Sequence, residues 1–415
     1  MMNLKNEKDI SLLRELAKKS TEISAKDAQD ERRAMWRSHN SFGRVRPPVV
    51  IRGGYEAELL RPLIRCEDDF YREFEFAMRA CIMHDSFDDD FIMEPWINLR
   101  ATCVQPPEGV WGVSPDVRRS ENDLLAFHVY PALKTFDDMK KMAVPVHSID
   151  EKQTAEDAEK INEAIGDIID VYIDRSTIWK HWNADISTQL GYLRGHEQML
   201  YDMMDNSDEL HKLLAFMRDG ILKAQAEAEC AGDWTLCEHE NQSVAYVNSL
   251  ADPKLNSGSV KRKELWAFVA AQEFAGVSPE LHYEFLLQYQ MPIMENFGLI
   301  AYGCCEDLTN KIDMLRKVKN LRRISVTPFA DAKRCAEQIK TDYICAYRPN
   351  PSLVAQSFDS ELIGKVLKND MDRFAENGCF VDICLKDIST VGGDPERLKK
   401  FTQLSKQIAE EYNPK

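Results

Sequence analysis

The sequence has no long apolar run, no excess of positive charge and no regular cysteine framework. No stretch is apolar over enough residues to predict a bilayer-spanning helix, and the charged opening residues lack the pattern of a targeting segment. A net charge of −16 repels a phosphate backbone, which argues against a nucleic acid partner. The 11 cysteines are irregularly spaced, which predicts reduced thiols rather than disulfides. We therefore expect a cytoplasmic protein without a nucleic acid or membrane partner.

The chain is long enough to bury a large core. Its 415 residues, of which 44% are hydrophobic and 29% charged, suit either one barrel-sized domain with additions or two domains. In the second half, predicted strands alternate with predicted helices, and the strands lie at 299–302, 322–328, 342–347 and 380–387. Strands separated by helices predict a parallel sheet with right-handed crossovers.

The same alternation can be followed back to residue 155, which gives about seven or eight strand–helix units. This number favours a closed (β/α)8 TIM barrel over residues 151–415 rather than an open sheet. Residues 1–150 do not follow the alternation. We expect them to form an N-terminal helical arm and an α+β extension that packs on the barrel. The predicted fold class is therefore α/β.

The last predicted strand ends in polar residues, and in a barrel the chemistry lies where strands end. Because side chains alternate along a strand, the segment "FVDICLKD" (380–387) points Asp382, Cys384 and Lys386 inward. An inward lysine has to be paired or desolvated, and either state favours a functional role. Lys386 and Asp387 are therefore candidate catalytic residues.

A second candidate site follows from the segment "LIAYGCCE" (299–306). Alternation places Tyr302, Cys304 and Glu306 on one side of it. Cys304 could then meet Cys384 at the barrel mouth. With Glu306, the two thiolates would form a three-ligand site with an open fourth position, as a catalytic zinc requires.

Cys305 is an alternative ligand in the same segment. If a bulge at Gly303 shifts the alternation, Cys305 pairs with Cys345 instead. Two buried thiols that fill space under a turn are the simpler interpretation, which stays open. The predicted metal ligands are Cys304, Cys305, Glu306 and Cys384.

Three further polar residues follow predicted strands. The segment "YRPNP" (347–351) supplies Arg348 and Asn350 as candidate substrate-binding residues. The segment "DWTLCEHENQSVAYVN" (233–248) contains Glu240 as a candidate acid or base. A surface turn with a helix cap is the alternative explanation of that second segment.

Three segments of the chain resemble the uroporphyrinogen decarboxylase-like superfamily: 193–222, 271–308 and 320–339. The similarity is greatest to a branch that carries a Tyr-Gly-Cys-Cys-Glu motif, here residues 302–306, and ends in a Lys-Asp-Ile-Ser-Thr strand, here residues 386–390. The resemblance implies a (β/α)8 barrel with N-terminal helical additions. This agrees with the alternation of strands and helices.

The superfamily includes two chemistries. Its decarboxylases resemble one another in an Arg-Gln-Ala-Gly-Arg segment that holds porphyrinogen carboxylates, and this chain keeps only Arg52 of that pattern. Its corrinoid-linked methyltransferases bind zinc through a His-x-Cys pair and a distant cysteine near the last strand. Here Cys304 and Cys384 match the cysteines. Tyr302 replaces the histidine, and Glu306 is the expected substitute ligand.

The resemblance implies transfer of a methyl group between a small methylated substrate, such as a methoxylated aromatic compound, and cobalamin on a separate corrinoid protein. Methyltransferase components of O-demethylase systems are similar barrels. Zinc would polarise the substrate heteroatom, and Tyr302 or Glu240 would supply or hold a proton. The chain has no Asp-x-His-x-x-Gly motif for a corrinoid, so the cobalamin is expected on the partner. A homodimer is left open.

Two alternatives remain from the sequence. One is a metal-free lyase that acts on a carboxylated substrate, with Arg52, Arg348 and Lys386 as carboxylate holders. The other is a non-catalytic barrel subunit whose cysteines are core thiols. Metal content distinguishes the methyltransferase from both, and decarboxylation without a corrinoid distinguishes the lyase.

Overall fold

The computed structural model describes residues 4–119, 127–237 and 244–414. Over these ranges the chain is an α/β protein. Its strands are β1 (Val49–Ile51), β2 (Trp96–Arg100), β3 (Asp116–Arg119), β4 (Phe127–Tyr130), β5 (Asp170–Asp174), β6 (Trp266–Val269), β7 (Leu299–Tyr302), β8 (Leu321–Val326), β9 (Ile344–Tyr347) and β10 (Phe380–Leu385).

Helices surround these strands. They are α1 (Leu4–Ser24), α2 (Asp27–Asn40), α3 (Tyr55–Leu60), α4 (Asp69–Phe87), α5 (Glu151–Ile165), α6 (Ser187–Arg194), α7 (His196–Asp205), α8 (Ser207–Ala231), α9 (Pro279–His282), α10 (Gln288–Met294), α11 (Ile312–Leu315), α12 (Ala332–Ile339), α13 (Ser352–Ala355), α14 (Ser360–Glu376) and α15 (Glu396–Glu410). Among the described residues, none of these helices combines the length and the apolar character needed to cross a membrane.

Several helices begin at a side chain that caps them. Asp150, Asp331 and Asp359 accept hydrogen bonds from backbone N–H groups in the first turns of α5, α12 and α14. Ser278 caps α9 in the same way, and Pro279 occupies the first helical position. The residues at which these four helices begin are therefore set by the local sequence.

Six strands form one parallel sheet in the order β1-β10-β9-β8-β7-β6. In its register, Val50 lies opposite Cys384 and Asp382 lies opposite Ala346. β2 and β5 form a separate parallel pair, and β3 and β4 form an antiparallel ribbon. This parallel half-barrel confirms the α/β class. Between the described strands, no ladder joins the two parallel sheets into a complete barrel.

The first 150 residues contribute to both parallel sheets. β1 pairs with the last strand, β10, and β2 pairs with β5. α1 and α2 precede these strands as an N-terminal helical arm. The division into an extension of residues 1–150 and a barrel of residues 151–415 stays a prediction.

The strand β10 presents one face to the helices and the other to the interior of the half-barrel. Val381, Ile383 and Leu385 belong to the main apolar core, which also contains residues of α14 and α15. Cys384 packs on the other face with Val50. The alternation predicted for this strand is therefore present.

A buried ionic network lies on the inner face of the sheet. Arg323 of β8 donates to Oδ2 of Asp382 over 2.7 Å, and Nε2 of His39 lies 3.1 Å from the same oxygen. Arg323 also donates to Oδ1 of Asn40 over 2.7 Å. Burial alone would raise the pKa of Asp382, but Arg323 and His39 outweigh it and lower that pKa. The end of α2 is thereby tied to the interior of the sheet.

We expect the substitution Arg323→Met to lower the free energy of unfolding by about 3 kcal/mol, because it leaves the buried Asp382 carboxylate with less compensation. Denaturant unfolding followed by circular dichroism measures the change. The matched control is Arg373→Met, which removes an exposed ion pair with Glu376 at 3.3 Å. Its cost should be below about 1 kcal/mol. Similar losses in the two variants would contradict this account of the network.

Candidate functional site

The strand β7 ends at a turn that changes which way the next side chains face. Gly303 has a φ of +99°, and a Cβ at this position would lie 2.7 Å from the Leu308 side chain. Beyond the turn, Cys304 packs with inner-face residues of β6 and β7. Tyr302 instead packs in the core beneath the helices. The prediction that Tyr302 and Cys304 share a side is therefore wrong, because Gly303 interrupts the alternation.

Four side chains from the carboxyl ends of β7 and β10 meet at one place, which we call the thiol cluster: Cys304, Cys305, Lys386 and Asp387. The Lys386 Nζ donates to Sγ of Cys304 over 2.9 Å and lies 2.9 Å from Oδ1 of Asp387. The two sulfur atoms are 3.4 Å apart. Sγ of Cys305 lies 3.0 Å from Oδ2 of Asp387, so its single proton can be donated either to that oxygen or to the Cys304 sulfur. The structure therefore brings together two predicted metal ligands and two predicted catalytic residues.

The two thiols of the cluster differ in protonation. The hydrogen bond with Cys305 outweighs burial and lowers the pKa of Cys304 to about 6. The positive charges of Arg348 and Lys386 act in the same direction. The same sulfur–sulfur hydrogen bond, burial and Asp387 raise the pKa of Cys305. The pair therefore favours a thiolate on Cys304 and a proton on Cys305.

The other two groups of the cluster are charged. Burial and a neighbouring arginine would lower the pKa of Lys386, but the Cys304 thiolate and Asp387 outweigh them and raise it. Burial would raise the pKa of Asp387, but Lys386 outweighs burial and lowers it. Lys386 is therefore an ammonium group and Asp387 a carboxylate, and both accompany the Cys304 thiolate in the cluster.

Two buried charged side chains hold the backbone of the turn. Arg348 donates to the carbonyl oxygens of Cys304 and, over 3.2 Å, Gly303. One carboxylate oxygen of Glu306 accepts from the N–H of Ala271 over 2.8 Å, and the other accepts from the N–H of Cys304 over 2.7 Å. Arg348 was predicted to bind substrate and Glu306 to bind metal, but in this arrangement both fix the turn.

The other two cysteines singled out from the sequence take no part in the hydrogen bonds of the thiol cluster. Cys384 belongs to a separate apolar cluster, and burial raises its pKa. Cys345 packs beneath the helices, beside Cys379. Among the contacts of the described residues, Cys304 does not meet Cys384, and Cys305 does not meet Cys345.

The four predicted zinc ligands do not form one donor set, since the Glu306 carboxylate binds backbone N–H groups and Cys384 packs in a different apolar cluster from Cys304. In the part of the chain that the structure describes, no group of three or more His, Cys, Asp or Glu side chains is arranged to hold a metal ion. The Lys386 ammonium lies 2.9 Å from Sγ of Cys304 and 3.8 Å from Sγ of Cys305. A second cation between these donors would be repelled, so this arrangement does not fit zinc.

Three other predicted residues take separate positions. The Tyr302 hydroxyl donates to Oε1 of Gln290 over 2.9 Å on the helix side of the sheet, and burial raises its pKa. Asn350 is exposed, and its Oδ1 accepts from the N–H of Ser352 over 3.0 Å. Glu240 lies outside the described residues. Neither Tyr302 nor Asn350 contacts the thiol cluster.

Arg52 follows β1, and its half-buried guanidinium forms no hydrogen bond or ion pair with other described residues.

Burial, Lys180 and then Arg52 lower the pKa of His181 to about 3. The ring of Trp182 lies 5.0 Å from that of Phe268, a residue that packs close to the thiol cluster. Sequence reasoning missed His181 and Trp182. The position of "HWN" shortly after the strand-like segment "VYID" was the available signal.

Comparison with known proteins gives a likeness of fold. No protein-family model matches the chain, and no curated protein matches it. Among solved structures, a methyltransferase from Methanosarcina mazei is similar, with a TM-score of 0.50 and 13% sequence identity over 91% of this chain and 98% of that chain. At this identity the likeness shows the fold alone.

The thiolate state of Cys304 predicts how its alkylation depends on pH. Only the thiolate form reacts with iodoacetamide. The rate at which Cys304 is alkylated should therefore rise with pH and reach half its maximum near pH 6. Lys386→Met should move this midpoint to higher pH, because it removes a positive charge. Lys368→Met, on the exposed side of α14, should leave it unchanged. Peptide mass spectrometry measures the rate, and a midpoint near the ordinary value of about 8.5 would contradict the assignment.

The Glu306→Gln substitution tests whether this residue serves the turn or a metal. An amide nitrogen cannot accept a hydrogen bond, so one backbone N–H loses its partner. We expect the free energy of unfolding to fall by about 2 kcal/mol. Any zinc found in the purified protein by elemental analysis should stay unchanged. Glu361→Gln, at an exposed position of α14, is the control for unfolding, and loss of zinc from Glu306→Gln would return Glu306 to a metal site.

Proposed function

We propose that this protein is a methyltransferase that moves a methyl group between a small methylated substrate and a corrinoid cofactor on a partner protein. The observation that carries the proposal is the thiol cluster, in which a thiolate and an ammonium group lie 2.9 Å apart at the carboxyl ends of two parallel strands. The similar solved structure from Methanosarcina mazei is a methyltransferase. The motifs at 302–306 and 386–390, which resemble the uroporphyrinogen decarboxylase-like superfamily, support the same class.

We also propose that the two parallel sheets are parts of one closed (β/α)8 barrel. The first sheet has six strands and the second has two, and β1 already lies beside β10. Closure requires β2 beside β1 and β5 beside β6, which is the chain order of a TIM barrel. In that fold the active site lies at the carboxyl ends of the strands. The thiol cluster occupies this end.

The residues of the cluster have two tasks in the proposed reaction. The Lys386 ammonium donates a proton to the substrate heteroatom as the methyl group leaves, which makes that heteroatom a better leaving group. The Cys304 thiolate positions the ammonium and keeps it protonated. When the partner is bound, its corrinoid supplies the acceptor of the methyl group. We assign no step to zinc, because the predicted ligands do not form one donor set.

Aromatic side chains in the loops after the strands support a flat substrate and a large partner. Trp182 is 37% exposed, and its ring contacts Phe268, which packs in the same apolar cluster as Cys304. Phe329 is 74% exposed in the segment after β8. A methoxylated aromatic ring would stack on Trp182. The exposed Phe329 is available to the corrinoid protein.

A lyase that acts on a carboxylated substrate is the second candidate. One observation favours it: among the described residues, the Arg52 guanidinium makes no hydrogen bond or ion pair. Such a group at the mouth suits a substrate carboxylate. Arg348, the other predicted carboxylate holder, binds backbone carbonyl oxygens instead. This weakens the lyase relative to the methyltransferase.

The test is methyl transfer in a mixture of this protein, a separately purified and reduced corrinoid protein, and a series of methoxylated aromatic compounds and methylamines. We expect a substrate-dependent change in the corrinoid absorbance spectrum. Cys304→Ser should slow it by about 100-fold, because serine does not ionise and the proton on Lys386 is no longer held in place. Cys230→Ser is the matched control, since Cys230 is exposed on α8.

The other outcomes separate the remaining candidates. Release of carbon dioxide from a carboxylated compound without any corrinoid would replace the methyltransferase by the lyase. Absence of both reactions across the series, with the protein folded, would favour a non-catalytic subunit. Equal rates in Cys304→Ser and Cys230→Ser would remove the thiol cluster from the reaction.

A further inference from the structure

The thiol cluster contains two adjacent cysteines in different chemical states. The Cys304 sulfur is next to an ammonium group, and the Cys305 sulfur lies 3.0 Å from a carboxylate oxygen of Asp387. The two sulfur atoms are 3.4 Å apart, with no other group between them. This is the set of parts that a thiol oxidation reaction uses: a nucleophilic thiolate, a second thiol to resolve the product, and a base for that second thiol.

We propose that Cys304 and Cys305 form a reversible redox site that reduces hydrogen peroxide and becomes a vicinal disulfide. This inference goes beyond the proposed methyl transfer and does not depend on it. A small peroxide is the oxidant that the geometry favours, because Cys304 is only 2% exposed. A bulky disulfide such as oxidised glutathione would not reach that sulfur.

The reaction can be written in two balanced steps. In the first, the Cys304 thiolate attacks one oxygen of the peroxide. A sulfur–oxygen bond forms, the oxygen–oxygen bond breaks, and the leaving hydroxide takes a proton from Lys386 to become water. The product is a sulfenic acid on Cys304. Lys386 then regains its proton from solvent.

In the second step Cys305 attacks the sulfenic sulfur. Its proton goes to Oδ2 of Asp387, which lies 3.0 Å from the Cys305 sulfur. The sulfur–sulfur bond forms, the sulfur–oxygen bond breaks, and the leaving hydroxide takes that proton to become the second water. One peroxide and two cysteine side chains have then given one disulfide and two waters.

A disulfide between adjacent residues is readily reduced again. Consecutive Cα atoms are about 3.8 Å apart, which is shorter than the usual disulfide spacing of about 4.4 to 6.8 Å. The resulting strain makes the bond easier to reduce, and strained disulfides belong to the labile, regulatory class. Oxidation would also remove the thiolate from its position beside Lys386. The pair therefore suits reversible oxidation better than a permanent crosslink.

The other cysteines of the chain provide internal comparisons. Cys345 lies beside Cys379, but both are buried under the helices, and burial raises the pKa of Cys345. Cys230 is exposed on α8. Access alone would make Cys230 the first to be oxidised. Activation by Lys386 would make Cys304 the first.

The experiment treats the full-length protein with hydrogen peroxide, blocks the remaining thiols by alkylation, and follows each cysteine by peptide mass spectrometry. We expect the peptide that contains both Cys304 and Cys305 to lose the mass of two hydrogen atoms at least about tenfold faster than Cys230 is oxidised. Dithiothreitol should restore both thiols. In Cys305→Ser, dimedone should capture a sulfenic acid on Cys304. Lys386→Met should slow the oxidation of Cys304.

Three results would overturn the proposal. One is oxidation of Cys230 at the same rate as Cys304 or faster. Another is conversion of Cys304 to the sulfinic acid while Cys305 stays a free thiol. The third is an unchanged pair after oxidation of the exposed thiols is complete. The wild-type measurement stands even if a variant fails to fold, and it gives the same answer whether or not the protein transfers methyl groups.

Discussion

The backbone turn from Gly303 to Glu306 is the constraint on which the site depends. The carbonyl oxygens of Gly303 and Cys304 are held by Arg348, and the N–H of Cys304 is held by the Glu306 carboxylate, which also binds the N–H of Ala271. Buried backbone groups need such partners, and a guanidinium and a carboxylate supply strong ones. These contacts hold the turn in the conformation that places Cys304 on the inner side of the sheet.

Positive charge in the interior is the second feature that shapes the site. The chain as a whole carries a net charge of −16, yet Arg323, Arg348 and Lys386 point into the interior or the mouth of the sheet. Each has its own acceptors: Asp382 for Arg323, carbonyl oxygens for Arg348, and a thiolate for Lys386. The burial of a cation requires such compensation.

The ammonium of Lys386 takes the position beside Cys304 where the sequence suggested a metal. Both a metal ion and an ammonium group stabilise a thiolate by positive charge, but an ammonium group can also give a proton. The same arrangement leaves Cys305 with its proton and in contact with Asp387. The cluster therefore combines a nucleophile, a proton donor and a resolving thiol, and both the proposed methyl transfer and the proposed oxidation use this asymmetry.

The sequence by itself determined the α/β class, the parallel strands and the inward facing of Cys384, because periodicity and capping are local properties of the chain. It also pointed to the two segments that meet, at Cys304 and at Lys386. It did not determine the facing of Cys304, because the positive φ of Gly303 breaks the alternation on which that prediction depended.

Only the tertiary structure decided which groups the side chains of the site contact. Glu306 binds a backbone group 35 residues away in the chain, and Lys386 meets a sulfur 82 residues away. A carboxylate that could bind metal and one that binds backbone N–H groups are identical in sequence. The difference between them arises only when the fold brings a particular acceptor and donor within hydrogen-bond distance, where burial makes that one contact decisive.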